Sequence, residues 1–272
     1  MKMTFVDWRI LLICAISFSW TGIATAGVVN SQHDLTTAGS GQGGTANTDE
    51  VCVFCHTPHG SDTAAPVPLW NKVLGAPGQY DQYSTLQTPS FDSQEAPVGS
   101  VSLACLSCHD GTQAMDVVVN VPGSGGYSAT GTEIDPVAIG VMAGTPVPNL
   151  GTDLTDDHPV SMQYGGGGPV ATDPDGPFTG TLGDSDFVPP EKATINATSP
   201  IWWVDSPVGT DGTREKTDMI LYARGDLGTV QPFVECGSCH DPHNDTTAGP
   251  NSVAFLRINN TASQICTTCH VK

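Results

Sequence analysis

Four short cysteine–histidine motifs constrain this chain more than any other feature of its sequence. Each motif has two cysteines separated by two residues and followed at once by a histidine: CVFCH, CLSCH, CGSCH and CTTCH. The cysteine pairs are Cys52 and Cys55, Cys105 and Cys108, Cys236 and Cys239, and Cys266 and Cys269. The histidines that follow them are His56, His109, His240 and His270.

Three kinds of chemistry use cysteines at this spacing. Eight cysteines can form the disulfide scaffold of an exported protein, and four C-x-x-C pairs can hold two zinc ions. Neither requires a histidine after every second cysteine, whereas C-x-x-C-H is the spacing of c-type haem attachment. On a helical turn, positions i, i+3 and i+4 share one face, so two thiols can reach one porphyrin while the histidine meets its iron. The sequence therefore predicts four haem c groups, bound covalently through thioethers.

The second axial position of each iron needs a further ligand. Outside the motifs the chain has four histidines, which equals the number of open positions: His33, His59, His158 and His243. Methionine is the alternative ligand, and the candidates are Met115, Met142, Met162 and Met219. The histidine count favours bis-histidine ligation at all four irons, with the methionines as packing residues. The alternative for His59, His158 and His243 is a solvated surface position, and for His33 it is a frayed chain terminus.

Two of these histidines, His59 and His243, lie three residues after a motif histidine and directly after a proline. Three residues span about 10 Å at full extension, and Pro58 ends the turn that carries the first motif. His59 is therefore expected to bind the iron of a neighbouring haem, and the same reasoning applies to His243. The predicted pairs are His59 with His109, His243 with His270, His33 with His56 and His158 with His240.

The composition predicts little regular structure. The 272 residues include 31 glycines and 21 prolines, and only 38% are hydrophobic, so side chains alone offer little apolar surface to offset backbone entropy. We expect a mostly irregular fold with few short helices and minimal strand, wrapped around four covalently bound haems. Residues 114–121 are rich in branched side chains and predict a short strand, and residues 213–226 predict one short helix.

The N-terminal residues 1–26 have the features of a secretory signal peptide. Lys2 and Arg9 precede or flank an apolar run, and the segment ends in the A-x-A sequence at residues 24–26. The run is too short to span a bilayer, so we expect an exported protein without membrane insertion. The formal charge of −19 disfavours binding to nucleic acid or anionic lipid.

The domain organisation follows from the motif positions. After the signal peptide, residues 27–272 are expected to form one tetrahaem cytochrome c domain. Its predicted parts are a first haem pair at about 27–120, a glycine-rich central segment at about 121–230 and a second haem pair at about 231–272.

Several motif segments together resemble a known family. SQHDL, EVCVFCHTPHG, PLWN, LACLSCHDGT, DDHPVSMQY, VECGSCHDPHN and ICTTCH resemble exported multihaem c-type cytochromes of metal-respiring bacteria, in particular the tetrahaem OmcE-type extracellular cytochrome filament family. The resemblance implies a row of closely stacked haems and a homopolymer, in which His33 is the candidate for ligating a haem of a neighbouring subunit. It also implies electron exchange with other c-type cytochromes and with extracellular metal oxides.

The expected function is electron transfer and not catalysis. Eight histidines fill eight axial positions, whereas catalysis at haem requires an open one, so a multihaem reductase is the less favoured alternative. A monomeric periplasmic shuttle shares every motif with a filament subunit and remains an alternative. The expected location is extracellular or at the cell surface, or else periplasmic.

Overall fold

A computed structural model of the chain describes residues 27–37, 39, 47–64, 66–89, 91–123, 125–135, 139–142, 148–209, 211–244 and 255–271. The predicted signal peptide, residues 1–26, lies outside these ranges. The described α-helices are α1 (Ser100–His109), α2 (Cys236–Cys239) and α3 (Gln264–Cys269). Short 3₁₀ helices occupy Pro77–Gln79, Tyr83–Leu86, Tyr164–Gly166 and Thr261–Ser263.

Eight β-strands form two sheets in the described part of the chain. The smaller sheet is an antiparallel pair, β1 (Val117–Asn120) and β2 (Tyr127–Glu133). The larger sheet has six antiparallel strands in the order β3-β8-β7-β6-β5-β4. Its strands are β3 (Met162–Gln163), β4 (Gly176–Pro177), β5 (Glu191–Ile195), β6 (Ser199–Val204), β7 (Met219–Arg224) and β8 (Gln231–Val234).

The six-stranded sheet overturns the expected fold class. A mostly irregular chain with minimal strand, wrapped around four haems, is wrong, because strands β3 to β7 lie in the glycine-rich central segment predicted at about 121–230, and β8 follows it directly. The physical reason is a core that the polypeptide supplies for itself. Alternate residues of a strand face the same side of a sheet, and on one side they form a buried cluster. Its members are Tyr164, Trp202, Val204, Met219, Leu221 and Ile258.

The two local predictions had different outcomes. The strand expected at residues 114–121 is confirmed, since β1 lies within it. The helix expected at residues 213–226 is wrong, because Met219–Arg224 forms β7 between β6 and β8. A short apolar run fits a buried strand or a helix equally well, and pairing with two neighbouring strands decides for the strand.

The glycine run at residues 165–168 makes a tight turn directly after β3. All four glycines have positive φ, between 58° and 121°, and residues with a side chain rarely adopt such angles. A Cβ on Gly166 would also come within 3 Å of the Asp184 backbone nitrogen. The run therefore lets the chain reverse and pack closely on residues 183–184.

Two smaller apolar clusters lie outside the large sheet. One surrounds the first motif and contains Leu35, Val53, Phe54, Met115 and Met142. The other packs beneath α1 and contains Tyr80, Val98, Leu103, Leu106 and Leu154. Within the described residues, no helix combines the length and apolar character needed to cross a membrane.

Candidate haem centres

The four C-x-x-C-H motifs fold as short helical turns. His56, His240 and His270 each donate a backbone hydrogen bond to the carbonyl of the first cysteine of their own motif, over 2.8, 3.1 and 2.9 Å. The second motif closes α1 at His109. Because bonds from residue i+4 to residue i are helical, the backbone of each motif makes the helical turn that the spacing predicted.

The motif cysteines are thiols in largely apolar surroundings. All eight are free in the described part of the chain. Burial raises the pKa of Cys55 to about 12, that of Cys239 to about 11 and that of Cys269 to about 12, so these thiols are neutral at pH 7. In the same part of the chain, no three or more His, Cys, Asp or Glu side chains gather into a group that could hold a metal ion.

The four motifs lie in sequence order through the molecule. Cys55 of the first motif and Cys108 of the second pack against the same apolar cluster. The backbone N–H of Cys236 donates over 2.9 Å to Oγ of Ser102, three residues before Cys105 on α1, so the second and third motifs touch. Cys239 of the third motif and Cys269 of the fourth both pack against the sheet core.

Two motif histidines face a histidine from a distant part of the chain. The ring centres of His56 and His243 are 6.1 Å apart and their planes are inclined by 16°. Those of His33 and His109 are 6.0 Å apart with planes inclined by 74°. The sequence paired His33 with the first motif and His243 with the fourth, whereas the structure places His33 beside the second motif and His243 beside the first, because the chain returns at His243 to its first described residues.

That return has a direct structural cause. The backbone N–H of Gly27 donates to the carbonyl of His243 over 3.1 Å, and the ring of His33 stacks on Phe255 at 4.1 Å. The prediction assumed that a three-residue tether leads only to the next motif in the sequence. The contacts between the two ends of the chain join it to the first motif instead.

The spacing of these pairs fits a haem iron between the two rings. A metal–imidazole bond is about 2 Å long and the ring nitrogen lies about 1 Å from the ring centre, so two imidazoles on opposite sides of one iron have centres about 6 Å apart. Both observed separations match this value. The indole N–H of Trp70, beside His56, is buried without an acceptor, and haem carboxylates are acceptors of the kind it lacks.

Hydrogen bonds at Nδ1 prepare several of these histidines for iron. Nδ1 of His56 donates to the Pro68 carbonyl and Nδ1 of His109 to the Pro148 carbonyl, each over 2.8 Å. Since a carbonyl can only accept, Nδ1 carries the hydrogen and Nε2 keeps its lone pair for a metal. Nδ1 of His243 lies 3.4 Å from the Asp241 carboxylate.

Electrostatics keep the pair of His33 and His109 neutral. Burial, followed by the nearby charge of His109, lowers the pKa of His33 to about 4. Burial also lowers the pKa of His109. A neutral imidazole is the form that binds a metal, so both rings have the protonation state that ligation requires at pH 7.

The remaining predicted ligands have more varied surroundings. His59 and His158 are exposed, and Nδ1 of His158 lies 3.2 Å from the Pro159 carbonyl. His270 packs against Phe187 with ring centres 4.4 Å apart. His240 is exposed and has extended backbone directly after α2. With His33 opposite His109, the partner predicted for His59 is already taken.

The candidate methionines are packed inside the protein. Met219 is fully buried in the core of the large sheet and Met162 forms part of β3. Met115 and Met142 lie in the cluster that holds Cys55 and Cys108. Their surroundings agree with the interpretation of these residues as packing residues.

Residues 70–72 have structural roles that sequence reasoning missed. The Asn71 side chain is fully buried and bonds to the Val53 carbonyl and to both backbone groups of Asn120, over 2.7–3.0 Å. It thereby ties the first motif to β1. Nζ of Lys72 donates to three backbone carbonyls at the start of β1, those of residues 114, 115 and 117. The conspicuous PLWN sequence is the only signal that marked this segment.

One comparison with known proteins bears on these centres. A family model described as the doubled CXXCH motif matches residues 231–272, which contain the third and fourth motifs. This match indicates a multihaem c-type cytochrome that functions in electron transfer. A search among curated proteins gave no match to this chain.

Proposed function

We propose that the chain is a tetrahaem c-type cytochrome with bis-histidine ligation that carries electrons along a row of four haems. The observation that carries this proposal is that two pairs of imidazoles face each other, one at the first motif with ring centres 6.1 Å apart and one at the second with ring centres 6.0 Å apart. Each pair joins a motif histidine to one from a distant segment. The other two irons take ligands from the remaining histidines, His59 and His158.

The order of the motifs supports a single electron path. The first and second motifs share one cluster, the hydrogen bond from Cys236 to Ser102 joins the third motif to the helix of the second, and the third and fourth share the sheet core. Each haem, when bound, supplies a reversible one-electron carrier. The protein fixes the spacing, the axial ligands and the burial, and bis-histidine ligation favours lower potentials than histidine–methionine ligation.

The finer part of the proposal is assembly into an extracellular filament after export. The resemblance to filament cytochromes supports it, with other c-type cytochromes and metal oxides as redox partners. In that family a distal histidine can come from a neighbouring subunit, and His33 was the expected donor. Because His33 faces His109 of its own chain, the exposed His59 and His158 are better placed for such a donation.

Ligand substitution tests the ligation. The mature holoprotein should carry the mass of four haems and show a low-spin ferric spectrum. His243→Ala should convert one haem to the high-spin form and leave three low-spin, and His33→Ala should do the same at a different haem. The surface variant Asn196→Ala is the control. Four low-spin haems in both histidine variants would refute the ligation.

Electron microscopy of the native secreted material tests the assembly. Filaments with a continuous haem row would support the polymer, and single particles of one chain would favour the periplasmic shuttle. A high-spin haem in the wild-type protein would instead favour a reductase, since catalysis requires an exchangeable position. Nitrite and hydroxylamine turnover measured on the same preparation would test that alternative.

A further inference from the structure

The two facing histidine pairs differ in the angle between their rings. The planes of His56 and His243 are nearly parallel, at 16°, whereas those of His33 and His109 are nearly perpendicular, at 74°. The separations of the two pairs are almost equal, so the angle is the geometric property that distinguishes them. Something other than the haem must set it, because a ligand ring is otherwise able to rotate about its bond to the metal.

Each pair has one aromatic residue in contact with one of its rings. Trp70 meets His56 edge to face, with ring centres 6.2 Å apart and planes at 84°. Phe255 stacks on His33, with ring centres 4.1 Å apart and planes at 14°. Both aromatic residues are buried, with 8% and 7% of their surface exposed. Aromatic contacts of these two kinds are favourable and orientation-dependent.

The contacted rings are held at a second point as well. Nδ1 of His56 donates to the Pro68 carbonyl, and the Pro242 carbonyl lies close enough to the ring of His33 to act on its pKa. One hydrogen bond selects the tautomer and leaves a ring free to swing about that bond. A second contact from an aromatic surface removes this freedom and fixes the plane.

The aromatic residues are themselves anchored to the backbone. His56 and Trp70 lie opposite each other in an antiparallel bridge. The adjacent Asn71 is fully buried, and its side chain is fixed by hydrogen bonds to the backbone. The carbonyl of Phe255 accepts the backbone N–H of Asp241 over 2.8 Å. The next residue, Pro242, has its carbonyl beside the ring of His33. The backbone of each aromatic residue is therefore fixed relative to the segment that carries the ligand.

We propose that Trp70 and Phe255 are positioning residues that set the angle between the axial imidazole planes, nearly parallel at the first haem and nearly perpendicular at the second. The inference rests on the proposed bis-histidine ligation. Two iron d-orbitals interact with the π systems of the imidazole rings. Parallel imidazoles raise the energy of one of these orbitals above that of the other, whereas perpendicular imidazoles raise both energies alike and leave the orbitals nearly degenerate. The first haem therefore gives a rhombic low-spin signal and the second a highly anisotropic one.

Low-temperature electron paramagnetic resonance of the oxidised holoprotein tests this assignment. Trp70→Leu should displace rhombic intensity equivalent to one haem and leave the anisotropic signal in place. Phe255→Leu should displace anisotropic intensity equivalent to one haem and leave the rhombic signal in place. Each variant is thus the control for the other. Mass spectrometry confirms that four haems are attached in each preparation.

Conservative variants keep the test decisive if leucine prevents haem attachment. Trp70→Phe retains a shorter aromatic edge, so the same rhombic signal should move in the same direction by a smaller amount. Phe255→Tyr retains the stacked ring and should preserve the anisotropic signal. Unchanged spectra for both residues, or displacement of the opposite signal, would overturn the proposal.

The histidine variants separate this inference from the ligation beneath it. If His243→Ala and His33→Ala each create one high-spin haem while the Trp70 and Phe255 variants leave the spectrum unchanged, only the positioning role fails. If the histidine variants create no high-spin haem, the ligation itself fails.

Discussion

Replacing Arg224 with methionine tests the buried ion pair that joins the large sheet to two of the motifs. Nη1 of Arg224, on β7, donates over 2.9 Å to Oε1 of Glu235, the residue just before Cys236. Glu235 is 1% exposed and also accepts hydrogen bonds from Ser102 on α1 and from Ser161. The ion pair therefore holds the second and third motifs against the sheet.

The magnitude follows from what the substitution leaves behind. Methionine keeps most of the apolar stem of Arg224, so the loss is mainly that of the charge and its hydrogen bonds. Removing one partner of a buried ion pair costs about 3–5 kcal/mol because the other charge stays buried. The second contact of Arg224, with the 38% exposed side chain of Asp226, adds less than about 1 kcal/mol. We expect a loss of about 3–5 kcal/mol in the free energy of unfolding at pH 7.

The loss should depend on pH in a defined direction. Burial raises the pKa of Glu235 above its ordinary value, while Ser102 and Arg224 oppose that rise. Without Arg224 the pKa rises further. Between the unfolded and the folded pKa the folded state binds more protons, so its stability falls as the pH rises through this window. Arg224→Met should therefore cost less at pH 4.5 than at pH 7.

Urea unfolding followed by far-ultraviolet circular dichroism measures both effects on the holoprotein. Glu235→Gln and the double variant complete a mutant cycle, and the double variant should be more stable than the sum of the single losses predicts, since no buried charge remains. A loss below about 1 kcal/mol at pH 7, or equal losses at both pH values, would contradict this account of the pair.

Three further predictions concern single sites. Asn71→Ala leaves buried backbone groups near Val53 and Asn120 without partners and should lower the free energy of unfolding by about 2–4 kcal/mol in urea; a loss like that of the exposed Asn196→Ala would contradict it. Trp202→Ala removes a side chain that is 1% exposed and should cost about 3–5 kcal/mol in thermal unfolding, whereas Trp202→Phe should cost less. In a haem-free preparation, the loss in the free energy of unfolding caused by His33→Gln should be smaller at pH 4 than at pH 7 by roughly 3 kcal/mol. The unfolded histidine gains a proton near pH 6.5 and folded His33 only near pH 4, so a pH-independent effect of His33→Gln would refute that prediction.

The local backbone of the motifs could be predicted from the sequence because it depends on short spacings. Three of the motif histidines bond to the carbonyl four residues earlier, as helical spacing requires. The strand at residues 114–121 was equally local, since a run of branched residues favours extended backbone. Neither prediction needed to know what lies across the fold.

Long-range structure could not be predicted in the same way. β7 has an apolar sequence that suits a short helix as well as a strand, and β6 and β8 on either side of it decide the outcome. The neighbours of His56 and His109 depend on the contacts that His243 and Phe255 make with residues 27–33, and no motif marks those contacts. Phe255 belongs to none of the motifs, so sequence spacing gave no reason to single it out.

The large sheet explains how one row of motifs can cross a long gap in the sequence. The chain runs from Cys105 to Cys236 without another motif, and closing so long a loop through flexible chain would cost conformational entropy that grows with its length. Strands β5 to β8 order that segment around a buried core, and Arg224 on β7 forms an ion pair with Glu235, the residue before Cys236. The backbone N–H of Cys236 bonds to Ser102 on the helix that carries Cys105, so the sheet closes this gap and also supplies a core that the sequence interpretation had assigned to the haems.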